Sequence, residues 1–190
     1  MGIPRRARRA ALIGAALAAL ALTGCDDDSS SPPVDATTST TASPSGVAVG
    51  ETATVSFAVN VCGEWLSPAP EFAADVAGSP VGLHSDGQGN IVAEPGGPAE
   101  AGENATLALF LSSQGWEAGE LVIRVWDGET HVAGRPCPDG RPGEVRWTLD
   151  GEEQTSDPSL HVLDDGQAIV LAFVAEGDPF PHEGVIRQEP

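Results

Sequence analysis

The chain has 190 residues, with 28 acidic side chains against nine basic ones and a formal charge of −19, and it contains neither lysine nor tyrosine. A field of that sign repels nucleic acid and anionic lipid headgroups, which excludes phosphate-backbone binding and electrostatic adsorption to a bilayer. The length fits one domain with appendages.

Residues 1–24 have the three parts of an export signal. Arg5, Arg6, Arg8 and Arg9 form a positive start, and Ala10 to Leu22 is an apolar run too short for a comfortable transmembrane helix. Small residues then precede Cys25. The string Leu22-Thr23-Gly24-Cys25 resembles the lipobox of bacterial lipoproteins. That resemblance implies a diacylglyceryl thioether on Cys25, cleavage just before it, acylation of the new amino terminus, and a cell-membrane protein anchored on the extracytoplasmic face. The alternative is an ordinary secretory signal with a chance cysteine. Buried acyl chains contribute about 0.8 kcal/mol per methylene, and two chains hold stably. From Cys25 onward five arginines face all 28 acidic residues, a formal charge of −23. On this reading the membrane is a partner only through the lipid at Cys25. The acidity itself suits cations or basic partners, though solubility is the plainer account.

With Cys25 assigned to lipid, Cys62 and Cys137 remain as a pair. An exported chain meets an oxidising compartment, so a disulfide is expected. Neither cysteine has a CxxC partner or a histidine at ligand spacing; a metal-bound pair or two free thiols are the alternatives. Closing a loop of about 75 residues contributes about 4 kcal/mol in the chain-entropy account.

Residues 25–46 read as a Ser/Thr/Pro-rich tether without apolar periodicity, unable to bury enough surface to offset its ordering entropy. Residues 47–190 read as a single β-rich domain. From Thr52 to Val61 the apolar residues alternate, with Val55, Phe57, Val59 and Val61 on one face, and the prolines of Ser67-Pro68-Ala69-Pro70 then force an irregular loop. Val81 to Pro95 reads as two extended pieces around the turn chemistry of Asp86-Gly87 and Gly89-Asn90. A glycine-rich loop follows, Glu94 to Gly102.

Between Glu103 and Trp116 the period changes. Leu107, Phe110 and Leu111 stand at helical spacing, Asn104 or Thr106 suits the N-cap, and Gly115 suits a left-handed end. Strand returns at Leu121 to Trp126, turning at Asp127-Gly128 into Thr130–Val132. Arg135 to Gly143 reads as loop, Glu144 to Leu149 as a strand with Val145, Trp147 and Leu149 inward, and Glu152 to Ser159 as polar loop. Ala168 to Val174 is apolar enough for a central strand. The tail from Glu176, with three prolines, is expected along the surface. The predicted core is Val55, Phe57, Val59, Ile91, Leu107, Phe110, Leu111, Val122, Val125, Trp147, Ile169, Leu171 and Phe173. The fold class is α+β, mostly β: a small mixed sheet with one short helix.

The order of features between Val59 and Ala175 resembles an uncharacterised group of exported or membrane-tethered bacterial domains. That group carries a His-rich turn of the form HTHGDGxIHIHP, followed by a TLGxFFxxWG segment. The matching residues are His84 to Pro95, Ala105-Thr106-Leu107, Phe110 and Gly115-Trp116. The group's cysteine pair fits Cys62 and Cys137. Its histidine cluster suits a transition metal. Here only His84 survives as an imidazole, Asp86 and Glu94 replace two others, and Val92 takes a third position. A divalent metal at His84, Asp86 and Glu94 is therefore the cofactor expectation, against a turn that those residues merely shape. The segment Leu160 to Phe173 also resembles the last strands of ubiquitin-like β-grasp folds, which implies one helix across a mixed sheet.

No nucleophile elbow, P-loop or dinucleotide fingerprint occurs. None of His84, His131, His161 and His182 neighbours a persuasive serine or cysteine. Asp164-Asp165 and Glu152-Glu153 read as solvated faces, and Asp164-Asp165-Gly166 lacks the ligand run of an EF-hand loop. The leading expectation is a lipid-anchored, non-enzymatic binding domain whose protein or small-molecule ligand is unknown, then a degenerate metal site, then an enzyme.

Overall fold

The structure, a computed structural model, describes residues 46–76 and 79–181. The expected export signal, Cys25, nearly all of the expected tether, and His182 lie outside the described residues. No described helix is long and apolar enough to cross a membrane.

Among the described residues, eleven strands and one α-helix make an α+β domain that is mostly β. The larger, mixed sheet contains β1 (Ala53–Val61), β2 (Glu64–Trp65), β3 (Phe72–Val76), β4 (Ser79–Ser85), β5 (Asn90–Ala93), β9 (Gly143–Leu149), β10 (Glu152–Gln154) and β11 (Ala168–Ala175). Its order is β10-β9-β11-β1-β5-β4-β3, with β2 folded back on the end of β1. The smaller sheet is β6-β7-β8, formed by Glu117–Gly119, Val122–Arg124 and Thr130–Val132. Both sheets are open.

The expected alternation puts Val55, Phe57 and Val59 inside, all at most 4% exposed. Beside them stand Ile169, Leu171 and Phe173 of β11, which runs parallel to β1 with Val59 opposite Leu171. Ile91 of β5, Leu83 of β4 and Trp147 of β9 extend the same apolar face. Helix α1 (Leu107–Ser112) covers it. The Thr106 hydroxyl accepts the Leu109 N–H at 3.2 Å as N-cap, Leu107, Phe110 and Leu111 point inward, and Gly115 ends the segment at φ +70°. Phe110 meets Phe57 edge-on at 5.7 Å and stacks on Phe72 at 5.5 Å. The first and last long strands among the described residues thus lie parallel at the centre of the mixed sheet, with the helix on one face.

Four expectations change. Val122 is only half-buried; Ile123 is the fully buried residue of β7, because the small sheet turns the other face of this strand to the core. Leu83 and Leu163 are also fully buried core residues. Glu152–Gln154 is not loop but β10, which returns along β9 after the Asp150-Gly151 turn. Finally, the chain after Glu176 does more than lie on the surface. Phe180 packs with Ala58, Val170, Ala172 and Val174 on the second face of the sheet. Arg141 forks onto the Asp178 carboxylate at 2.6 and 2.8 Å, and Arg146 bonds the Asp178 carbonyl and stands 5.6 Å from the Phe180 ring. Residues 176–181 thus form a strap held by two guanidinium groups.

Truncating Phe110 leaves a cavity between helix and sheet. A Phe110→Ala variant is expected to lose about 3–5 kcal/mol of unfolding free energy, read from urea melts. A loss below about 1 kcal/mol would contradict the placement of this ring at the centre of the core.

Candidate functional site

His84 stands opposite Val92 in the β4–β5 ladder. Its neighbours Leu83 and Ser85 are buried, so strand alternation turns His84 to the other face of the sheet. Glu94 follows β5 and accepts a 3.4 Å bond from the Thr52 hydroxyl. Asp86 is committed elsewhere: its carboxylate accepts from the backbone N–H groups of Gln88 and Asn90 at 2.7 and 3.1 Å and from the Asn90 side-chain amide at 2.6 Å. Burial opposes its ionisation, but the Asn90 amide and the backbone donors outweigh that and hold the carboxyl below the ordinary aspartate range. Among the described residues no three His, Cys, Asp or Glu side chains gather as metal ligands. His84, Asp86 and Glu94 therefore do not form the three-ligand group expected of them, and Asp86 serves to close the Gly87–Gly89 turn.

A different site lies where the two parallel strands end. A cleft of about 840 Å³ opens at the C-terminal ends of β1 and β11. Its floor is Phe173 and the bridge between Cys62 and Cys137, whose Cα atoms are 5.7 Å apart. The expected disulfide is thus present, and it ties the end of β1 to the Arg135–Gly143 loop. Cys62 sits at φ +51° in the tight turn into β2, a conformation costly for a residue with a Cβ and held here by the bridge and by the Cys62 N–H bond to the Phe173 carbonyl.

Three polar side chains define the cleft. Asn60 is fully buried on β1; its Oδ1 accepts the Gly63 N–H at 3.0 Å, and its Nδ2 has no partner among the described residues. A buried amide donor left unbonded costs about 1–3 kcal/mol. His131 on β8 lines the cleft with its ring 5.5 Å from that of Phe173, and its Nε2 bonds Asp127 Oδ2 at 2.8 Å. Asp127 opens the hairpin turn and His131 follows it across the turn, so the pair is made locally. Only 11% and 19% of the two side chains are exposed, so the bond is well shielded. Arg135 is exposed on the wall.

Arg135 is singular among the four described arginines. Arg124 pairs with Glu117, Arg141 with Asp139 and Asp178, and Arg146 with Glu144 and Glu153, whereas Arg135 has no ion pair with a described residue. Arg141 also settles two of the acidic residues of the wall. Its backbone N–H and then its guanidinium hold the Asp139 carboxyl below its ordinary range. The carboxylates of Glu64 and Glu129 on the lip make no hydrogen bond with a described residue.

No family model matches the sequence, and no curated protein and no solved structure is similar to it.

None of the cleft residues stands out in the sequence as a site. Asn60 carries the clearest signal, as an amide among Ala58, Val59 and Val61. The His131–Asp127 pair is written as His four residues after the Asp of an Asp-Gly turn.

The turn at Asp86 yields a pH dependence. A carboxyl whose folded-state pKa lies below its unfolded value near 3.9 stabilises the fold above that value, and the contribution is lost as pH falls through the folded pKa. Asp86→Asn should therefore reduce stability more at pH 6 than at pH 2.5, measured by urea unfolding. An equal loss at both pH values would show that the ionised form is not preferentially held.

Proposed function

We propose that this chain is an exported, lipid-anchored binding domain that presents the cleft at the ends of β1 and β11 to a small ligand. The anchor follows from the lipobox resemblance at Leu22–Cys25 together with a charge of −23 from Cys25 onward, which offers no electrostatic route to an anionic bilayer. The single observation that carries the binding role is the cleft of about 840 Å³ at the strand ends, lined by His131 and by the exposed Arg135, which has no ion pair with a described residue. A concave site of that size with a few polar groups suits a small molecule. The reading is of a binding domain, not an enzyme; the two cysteines of the cleft are joined to each other.

One observation favours a second reading. Asp127 fixes the His131 ring as an orienting carboxylate does for a general base, so acid–base chemistry on a bound substrate is the alternative. Assays of ester and amide hydrolysis separate the two. No turnover is expected from the parent protein; turnover that His131→Gln abolishes would replace the binding reading by the enzymatic one.

The anchor is tested by fractionation. The parent protein is expected with membranes, and a Cys25→Ala variant in the soluble fraction or medium. A variant still membrane-bound would sink the lipid anchor.

A further inference from the structure

We infer that the Cys62–Cys137 bridge is a site of thiol–disulfide exchange, opened through the cleft from the Cys62 side by a dithiol of neutral or positive charge. This exchange does not depend on the ligand reading, since it concerns the wall of the cleft and not what the cleft holds. Both cysteines line the cleft, but Cys62 is half-buried whereas Cys137 is only 6% exposed. Exchange is governed by which sulfur an entering thiolate can reach. Entry from the cleft falls on Cys62 Sγ, and Cys137 Sγ, on the buried side, is the leaving group.

The bridge holds two things that its opening would release. Cys62 keeps a left-handed backbone, φ +51°, which a residue with a Cβ adopts only at a cost. Once the bond is broken that turn can relax, which favours the opened form. The loop from Arg135 to Gly143 is bonded to itself: the Cys137 N–H donates to the Arg141 carbonyl, the Gly140 N–H to the Cys137 carbonyl and the Gly143 N–H to the Arg135 carbonyl. Among the described residues no hydrogen bond runs from this loop to the end of β1 or to β2, so the bridge is its one bonded tie to that edge. The β1–β11 and β11–β9 ladders hold the sheet without it. An opened bridge therefore frees the cleft wall and leaves the sheet in place.

Charge selects the reductant. Among the described residues the cleft is lined by the carboxylates of Glu64, Glu129, Asp139 and Asp178 against one guanidinium, Arg135. That field turns away an anionic thiol and admits a neutral or cationic one. The step balances with a dithiol as the source of two electrons. Its first sulfur bonds Cys62 Sγ as the Cys62–Cys137 bond breaks, and Cys137 takes up the proton that this thiol gave up. Its second sulfur then displaces Cys62, which leaves with the second proton. The reductant ends as a disulfide and the protein with two thiols.

Thiol trapping on the soluble Cys25→Ala protein, whose two remaining cysteines form the bridge, tests this. With dithiothreitol and no denaturant, both cysteines are expected to become alkylated at a rate within about a hundredfold of that in guanidinium chloride, where a bridge opened only by global unfolding lags by about a thousandfold or more. Amide signals are expected to move at Cys62 to Trp65 and at Arg135 to Gly143, while those of α1 and β5 stay. A slower reaction, or loss of the α1 and β5 signals on reduction, overturns the inference. Monothiols at low ionic strength test the entry side and the charge, each rate being divided by its own rate in guanidinium chloride. Cysteamine and mercaptoethanol are expected to outpace mercaptoacetate and to be found on Cys62 by peptide mass. Adducts on Cys137, or mercaptoacetate as fast as the others, overturn the assigned entry or the assigned class of thiol.

Discussion

Val59 of β1 lies opposite Leu171 of β11 at the centre of the sheet, and this parallel pairing of the first and last long strands governs the rest. Parallel neighbours cannot be joined by a tight turn. Everything between them must cross from one end of the sheet to the other, and it does so as the β4–β5 hairpin, α1, the small sheet and the β9–β10 hairpin. The helix and small sheet then have one place to go, the face that carries Val55, Phe57 and Val59. The same pairing brings the C-terminal ends of β1 and β11 side by side, with Val61 opposite Phe173. Where two strands end together the ladder stops and side chains no longer fill the space beyond them. The cleft is a consequence of that geometry.

At this rim the disulfide does two kinds of work. It pins Cys62 in a turn that a free cysteine would leave, and it carries the long Arg135–Gly143 loop onto the end of β1. Gly143, at the start of β9, continues the close packing: a Cβ there would fall 2.3 Å from the Phe173 ring, so only glycine lets the strand pass under that ring. Phe173 is thus fixed from below by β9 and from the side by His131, and the cleft floor is part of the core.

Much of the fold was legible because it depends on local patterns. The alternation of Val55, Phe57 and Val59, the Thr106 cap, Gly115 and the apolar run of β11 each state an element by period or by turn chemistry. Features that depend on which face meets which partner were not legible. Val122 and Ile123 are equivalent in a sequence, and only the docking of the small sheet makes Ile123 the inward one. Glu152–Gln154 has no apolar residue to announce a strand and pairs because the Asp150-Gly151 turn sends it back along β9. The site was hidden for a related reason. His84, Asp86 and Glu94 drew attention as ligand types close in sequence, yet the ladder turns His84 outward and the turn occupies Asp86. His131 and Arg135 lie about seventy residues from the end of β1 and line the same cleft as Cys62 only because the disulfide and the β1–β11 pairing bring those segments together.

The strap at residues 176–181 bears on how the chain reaches this state at all. β11 is an uncharged stretch of eight apolar residues with strong strand propensity, the composition of a segment that self-associates when left open. Its partner β1 is made well before it, so a ribosome that feeds the chain from the amino terminus delivers a sheet whose centre is missing until β11 emerges. Phe180 arrives a few residues after β11 and closes the second face as soon as the strand has docked. The arginines that hold the strap, Arg141 and Arg146, are already in place on the preceding loop and strand. Docking of β11 and its shielding by Phe180 are thereby separated by only a few residues of chain, and a chain that stops short of Phe180 keeps its stickiest strand open to its neighbours.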